Sequence, residues 1–385
     1  MAEAYLVEPD LKFVQQLMDL GGGSLKKCYQ CATCSVVCNS SPDARPFPRK
    51  EMIWAQWGLK DRLVKDPDVW LCHQCNDCSV RCPRGARPGD VLAAVRNYSF
   101  LHYAFPSFMG KAVSEVRYLP LLFALPILLL LALLSLTGNP AALGGAIVFE
   151  ELIPHAYLDA GFITLGLLSL GSIAVGARRF WKDLLENSAS HAAGCLGDGE
   201  KEAPRTDPGS EGFSRHLLSA LSEILRHSKF KDCEANPIRY YAHLAIFYGF
   251  MGLFLTTTLV FLGIVLGGIR PPLAPFSAVK VLGNLSALAV FGGLTVVIYQ
   301  RITQKEQIGR SSYYDWFFIG SLYAITITGI LTEGARMARM AMMAYPLYAI
   351  HLIFVFVLLA CLPYSKFAHL FYRSVAMVYA KYSGR

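Results

Sequence analysis

Six long apolar runs organise this chain. Leu119–Leu136, Ala156–Ala177, Leu244–Ile269, Val281–Gln300, Trp316–Thr332 and Tyr345–Ser365 each approach the roughly 20 residues that an α-helix needs to cross a bilayer. Asp159, near one end of the second run, is the single acidic or basic residue within them. Residues 1–117 carry no such run. Charges, Gly and Pro are spread through them, and short helices are expected over 9–20, 49–57 and 90–98, the last with Asp90 as N-cap after Pro88-Gly89. The pattern predicts a mainly α protein. A soluble part at 1–117 precedes a six-helix transmembrane bundle at 118–385, interrupted by a flexible cytoplasmic loop at about 183–237. Within that loop, 187–212 is rich in Ser, Gly, Asp, Glu and Pro.

Composition agrees. Hydrophobic residues make up 54% and charged residues 17%, against about 25% charge in soluble domains. The net charge of +8 is what cytoplasmic loops that retain Lys and Arg would produce, and no basic–aromatic cluster argues for nucleic acid. Met1–Leu20 is mixed and polar, unlike an export leader, so the N-terminal part is expected in the cytoplasm. Six spans then return the C-terminus to the same side of a cytoplasmic membrane. Loop 137–154, placed outside, has no Lys or Arg. Loop 178–243 opens with Arg178, Arg179 and Lys182; loop 301–315 holds Arg301, Lys305 and Arg310; the tail adds Lys366, Arg373, Lys381 and Arg385. The outer side keeps Arg270, Lys280, Arg336 and Arg339, so the bias is real without being absolute.

Eleven cysteines change the picture. Cys195 and Cys233 are read as reduced thiols without a role. Eight others form two runs, Cys28-x-x-Cys31-x-x-Cys34-x-x-x-Cys38 and Cys72-x-x-Cys75-x-x-Cys78-x-x-x-Cys82-Pro83, with every cysteine repeated 44 residues later. The repeat extends to Gln30/Gln74, Ser35/Ser79 and Val36/Val80. This is the bacterial ferredoxin spacing for two [4Fe–4S] clusters, in which the fourth cysteine of each run serves the other cluster. Cys28, Cys31, Cys34 and Cys82 are therefore expected to hold cluster 1, and Cys72, Cys75, Cys78 and Cys38 cluster 2. A structural zinc site, which pairs two C-x-x-C units around one ion, fits this spacing poorly. The first run has Asn39 where the second has Pro83. The soluble part is thus expected to be a ferredoxin-like, helical two-cluster domain.

Histidine within a bilayer is costly and usually functional. His351 and His369 are 18 residues apart, five full turns, or about 27 Å along one helix face. That separation suggests two haem b groups at opposite membrane depths. Matching ligands by depth pairs His243 with His369 near the cytoplasm and His155 with His351 near the outer face. Arg239, Lys366 and Arg373 flank the inner pair as candidate haem-propionate contacts. His73, His102, His191, His216 and His227 lie in soluble or loop positions, with His73 placed to modulate a cluster from between two ligands.

These residues support a resemblance. The N-terminal part resembles the iron–sulfur C subunit of heterodisulfide reductases. The membrane part resembles haem b subunits of the nitrate reductase gamma and heterodisulfide reductase E type, through His243-Leu-Ala-Ile-Phe-Tyr-Gly-Phe and Leu362-Pro-Tyr-Ser-Lys-Phe-Ala-His369. Their fusion, with the stretch Pro46–Arg62, looks like the C-subunit family of quinone-interacting membrane-bound oxidoreductase complexes of sulfate reducers. One departure is that the nitrate reductase pattern has a second histidine where this chain has Leu253. The resemblance implies a quinol-oxidising oxidoreductase subunit. Menaquinol would be oxidised in the membrane and electrons would pass through haem b and the two clusters to flavin-containing soluble subunits, towards adenylylsulfate reductase in sulfate respiration. Glu333, Arg336 and Arg339, in the outer loop between the fifth and sixth runs, are the candidate quinone site. Two other readings remain: the same role for a heterodisulfide- or nitrate-reductase-type partner, and a redox-inactive structural membrane anchor. An anchor has no need of four histidines that pair by depth.

Overall fold

The computed structural model describes residues 8–43, 45–139, 147–194, 210–231, 236–267 and 271–384. Among the described residues every regular element is helical. The elements used below are α1 (Leu11–Leu17), α2 (Thr33–Val36), α3 (Arg49–Gln56), α4 (Asp68–Leu71), α5 (Asp77–Val80) and α6 (Pro88–Tyr103), then α7 (Leu119–Thr137), α8 (His155–Gly194), α9 (Ser210–Arg226), α10 (Pro237–Gly267), α11 (Ala278–Thr303), α12 (Lys305–Ile308), α13 (Tyr313–Met337), α14 (Ala341–Cys361) and α15 (His369–Tyr382). Six helices are long and apolar enough to span a membrane: α7, α8, α10, α11, α13 and α14.

The fifth span has the lowest mean hydropathy of the six, 1.3, and is also the most enclosed, with 39% of its apolar stretch buried. A helix surrounded by other helices can carry Ser and Thr whose hydroxyls bond back to its own carbonyls, as Thr326, Thr328 and Thr332 do. This span is longer than the apolar run Trp316–Thr332 because a capping box sets its start. Ser312 accepts from the backbone N–H of Asp315, whose carboxylate accepts from the N–H of Ser312 at 2.8 Å. Between α10 and α11, small residues allow close approach. A Cβ on Gly293 would fall 2.7 Å from the Ala242 carbonyl, one residue before His243.

The second span differs most from expectation. Arg178, Arg179 and Lys182 lie on the continuing helix α8, which runs on through 183–194, and 210–226 is the amphipathic helix α9. The described part of the loop read as flexible at 183–237 is thus largely helical. Tertiary contacts supply the reason. Phe180 and Leu184 are fully buried, and Lys65 of the soluble part reaches Asp183 (3.4 Å) and Glu186 (3.2 Å). Cys195 and Cys233 lie outside the described residues.

The boundary drawn at residue 117 does not separate two cores. Trp70 on α4 stacks on Tyr372 of α15 (5.2 Å) and meets Phe100 of α6 (5.4 Å) and Phe180 of α8 (6.0 Å) edge-on. Tyr103 of α6 donates to Asp183 of α8 at 2.9 Å. The short helix α12, between the fourth and fifth spans, seats the same domain from another side. Asn76 donates to the Ile308 carbonyl and Arg87 to that of Glu306. Trp70→Ala should therefore cost about 3–5 kcal/mol, as core Trp truncations do. It should lower the thermal unfolding midpoint of the whole detergent-solubilised chain in one transition. A variant that melts the N-terminal part alone would contradict the shared core.

Candidate redox site

The two cysteine loops are conformational as well as sequence repeats. Gln30 and Gln74 take positive φ (70° and 53°), as do Ala32 and Asn76 (67° and 71°), which precede α2 and α5. Ala32 and Asn76 differ in type but share the left-handed turn, a strained state for alanine that the loop imposes. The fold brings the eight thiols into two groups. Cys28 lies close to Cys82 and Cys31, and Cys34 to Cys28 and Cys31. Cys38 lies close to Cys72 and Cys75, and Cys78 to Cys72, Cys75 and Cys38. Cys38 thus stands beside the other run's first three and Cys82 beside Cys28, while Cys78 also lies near Cys34 of the first run. Cys38, Cys72, Cys75 and Cys78 line a cavity with about 360 Å³ of atom-free space, partly open to solvent.

Burial raises the thiols of Cys34, to about 11, and Cys38, to about 12, and neighbouring sulfurs push the same way. Four thiolates in such a place need positive charge among them, which iron would supply. Backbone N–H groups of Gln74 and Ala86 point at the sulfurs of Cys72 (3.3 Å) and Cys82 (3.4 Å). The residues present fit two clusters.

Helix α3 braces both loops. Gln56 donates to the carbonyls of Cys28 (2.7 Å) and Leu25 (3.2 Å), and Arg49 to that of Gln30 (3.1 Å). On the same helix Lys50 sits among three buried carboxylates: Asp68 at 2.7 Å, Asp66 at 2.9 Å and Glu51 at 3.2 Å. Asp68 opens α4, which ends just before Cys72. One ammonium cannot neutralise three carboxylates. Burial raises the Glu51 carboxyl, to about 8, with Lys50 opposing and Asp66 and Asp68 adding to the rise.

Around His243, the structure gathers more histidines than position alone suggested. His243 is half-buried, and its enclosed Nδ1 has no hydrogen-bond partner. It lies within electrostatic range of His369, whose Nδ1 meets the Lys366 carbonyl at 2.6 Å, leaving Nε2 available. Burial pushes His369 down to about 4, which keeps its imidazole neutral. An orphaned ring nitrogen on one helix, and a ring oriented by a backbone carbonyl on another, fit the axial-ligand pattern of a haem. His227 and His73 also stand here. The His227 ring is 5.1 Å from that of His243, while Phe230 is edge-on to His243 (5.4 Å) and stacked on His73 (5.4 Å). His73 was legible as a neighbour of Cys72. His227, at a turn between two helical pieces with φ 50°, had no sequence signal.

The three candidate propionate contacts have protein partners. Arg373 donates to the carbonyls of Trp70 and Cys72, both at 3.1 Å, and lies 3.0 Å from a ring nitrogen of His73. Arg239 donates to the Gln74 carbonyl. Lys366 pairs with Asp315 at 2.5 Å, a carboxylate it shares with Arg301. Two of the three thus hold the second cysteine loop against the membrane helices.

On α14, His351 is set by α13. Its Nδ1 is 3.1 Å from the Ile325 carbonyl and 3.2 Å from Thr328 Oγ1, and a Cβ on Gly329 would press on the ring at 3.1 Å. His155 begins α8 and has Glu150 3.9 Å away. The two rings have separate neighbours. Glu333 is held by Lys280 (2.6 Å) and Arg336 (3.1 Å), and Arg339 takes a left-handed turn (φ 58°) just beyond the helix end.

Residues 24–86 match the family described as a 4Fe-4S dicluster domain. The chain carries an iron–sulfur dicluster domain. Among its relatives is the C subunit of the H2:CoB-CoM heterodisulfide,ferredoxin reductase of Methanothermobacter marburgensis, 38% identical over 23% of this chain and 48% of the relative. The chain thus spans about half the length of that relative. The E subunit of the dihydromethanophenazine:CoB–CoM heterodisulfide reductase of Methanosarcina mazei is 28% identical over 43% of this chain and 70% of its own length. Citrate utilization protein B of Escherichia coli is 28% identical over 80% of each chain, so the likeness spans both halves. No solved structure matches significantly.

Two outcomes follow. Cys38→Ser should remove roughly half the iron and the cluster of the Cys72 group, leaving the spectrum of the Cys28 group. Electron paramagnetic resonance of the reduced protein checks this, and loss of the Cys28-group signal would reverse the assignment. Glu51 binds its proton more tightly folded than unfolded. Its contribution to stability is therefore complete below its ordinary pKa of 4.5 and is lost as pH rises to about 8. Glu51→Gln should match the parent near pH 5 and gain on it steadily as pH rises from there to about 8. A stability gap that stays flat from pH 5 to 8 would show Glu51 already ionised.

Proposed function

We propose that this chain is the membrane electron-transfer subunit of a multi-subunit oxidoreductase. On this reading it oxidises menaquinol and delivers electrons to flavin-containing soluble subunits, and through them towards adenylylsulfate reductase. When bound, two b haems and two [4Fe–4S] clusters supply one-electron redox chemistry between membrane and cytoplasm. The observation that carries the reading is the join between membrane and cluster loop. Four residues beyond His369, Arg373 of α15 grips the carbonyl of Cys72 and the ring of His73. The inner histidines and the second cysteine loop are therefore packed together, as carriers that exchange electrons must be.

The residues take these roles. Cys28, Cys31, Cys34 and Cys82 hold one cluster, and Cys72, Cys75, Cys78 and Cys38 the other. His243 and His369 are the inner axial pair, and His155 and His351 the outer pair. His351 has the stronger local support, because its Nδ1 is fixed by α13. Glu333 accepts quinol protons while Arg336 and Arg339 orient a quinone oxygen. Lys280 shares the carboxylate.

A second reading keeps the carriers and changes the partner. It is favoured by the likeness to citrate utilization protein B, which covers both halves of the chain. There the soluble flavoprotein would exchange electrons with an organic acid instead of a sulfur compound. Purifying the complex through this chain and assaying its flavoprotein on both substrate classes separates the two.

The deciding measurement is haem b per chain by pyridine haemochrome, followed by reduction with a menaquinol analogue. Two haems reduced by quinol are expected. His243→Ala or His369→Ala should remove one haem, and His351→Ala the other. Glu333→Gln should slow quinol reduction about 10²-fold or more, the scale of a lost acid–base group. Absence of haem from the purified chain would leave the anchor reading, and an unchanged rate in Glu333→Gln would move the quinone site elsewhere.

A further inference from the structure

The two cysteine loops face different surroundings. The second is covered by Arg239, Arg373 and α12 of the membrane part. The first is held by Gln56 and Arg49 of α3 and presents the exposed thiol Cys31. Around it stand Tyr29 and Val36, 60% and 84% exposed, and Val80, the repeat partner of Val36, 55% exposed. The valine of C-S-V-x-C is thus solvent-facing in both copies, so packing within the chain does not account for it. The rim is cationic. Within 24–49 and 80–87, the exposed charged residues are Lys26, Lys27, Arg45, Arg49, Arg81 and Arg84 against Asp43, six positive to one negative. Arg84 lies over the Tyr29 ring at 5.1 Å, joining rim to centre.

We propose that this face docks an acidic one-electron carrier protein, its apolar centre seating the partner over Cys31 and its cationic rim steering an anionic edge onto it. An apolar centre ringed by charge of one sign is the anatomy of a transient protein interface, and the sign selects the partner. The inference rests on the proposed role of the chain as an electron carrier, yet its test does not depend on haem or quinol.

The test uses the full chain, loaded with iron and sulfide, in phosphatidylcholine nanodiscs. Binding is measured by biolayer interferometry with an acidic flavodoxin as probe and basic cytochrome c as control. Flavodoxin should bind and cytochrome c should not. Raising NaCl from about 50 to 300 mM should weaken flavodoxin binding about tenfold, as screened rim charges do. Lys26→Glu/Lys27→Glu/Arg84→Glu should weaken it about tenfold more at low salt, with unchanged iron content, while Lys12→Glu on α1 stays within about twofold. Flavodoxin binding indifferent to both salt and the triple variant overturns the proposal. So does charge-dependent capture of phosphatidylglycerol vesicles without flavodoxin binding. Either failure leaves quinol reduction of the membrane part untouched, so it is separable from failure of the electron-transfer reading.

Discussion

The guanidinium of Arg373 leaves a membrane-proximal helix and donates to the carbonyls of Trp70 and Cys72 while lying against His73. These carbonyls belong to the turn that enters the second cysteine loop, where the backbone has no helical partner for them. A buried carbonyl without a donor is expensive, so the loop's conformation and its attachment to the membrane part are one energetic event. Arg239 adds the Gln74 carbonyl from α10, and Trp70 stacks on Tyr372 one residue before Arg373. The second cysteine loop and the aromatic core are therefore fixed relative to one another by charge-assisted hydrogen bonds and burial together.

This explains why arginines near the membrane surface do not serve as simple interfacial anchors. An arginine at a helix end would ordinarily extend to headgroups. Here the fork geometry of the guanidinium lets one side chain span two carbonyls and an imidazole, which a lysine could not do. Lys366, by contrast, is a point charge and is used as one, beside Asp315. That carboxylate also caps the start of α13, so the ion pair ties the C-terminal turn before His369 to the fifth span. The histidine's ring is oriented by the carbonyl of the same lysine.

Much of the architecture was legible because it depends on one-dimensional patterns. Six apolar runs became six membrane-length helices, and the 44-residue cysteine repeat located the dicluster domain. What escaped was set by contacts between distant segments. The continuation of α8 beyond residue 178 depends on Lys65, 118 residues upstream of Asp183, and polar composition alone suggested a loop. Arg239 and Arg373 read as propionate contacts because charge near histidine is visible in sequence, whereas the carbonyls they reach are not. His227 escaped for a similar reason: a turn residue shows no periodicity, and only the fold carries it to His243.

The repeat itself shows how far duplication constrains a site and where it stops. Both loops impose left-handed turns at equivalent residues, so each can present three thiols from a short segment. Their surroundings then diverge. His73, in the second loop, is enclosed by Phe230 and Arg373, while its counterpart Tyr29, in the first, faces solvent at 60% exposure. Burial on one side lowers the local dielectric around the second loop; exposure on the other leaves the Cys31 thiol at the surface. Two copies of one loop thereby acquire opposite surroundings, and the direction of the asymmetry follows from which copy Arg239 and Arg373 can reach.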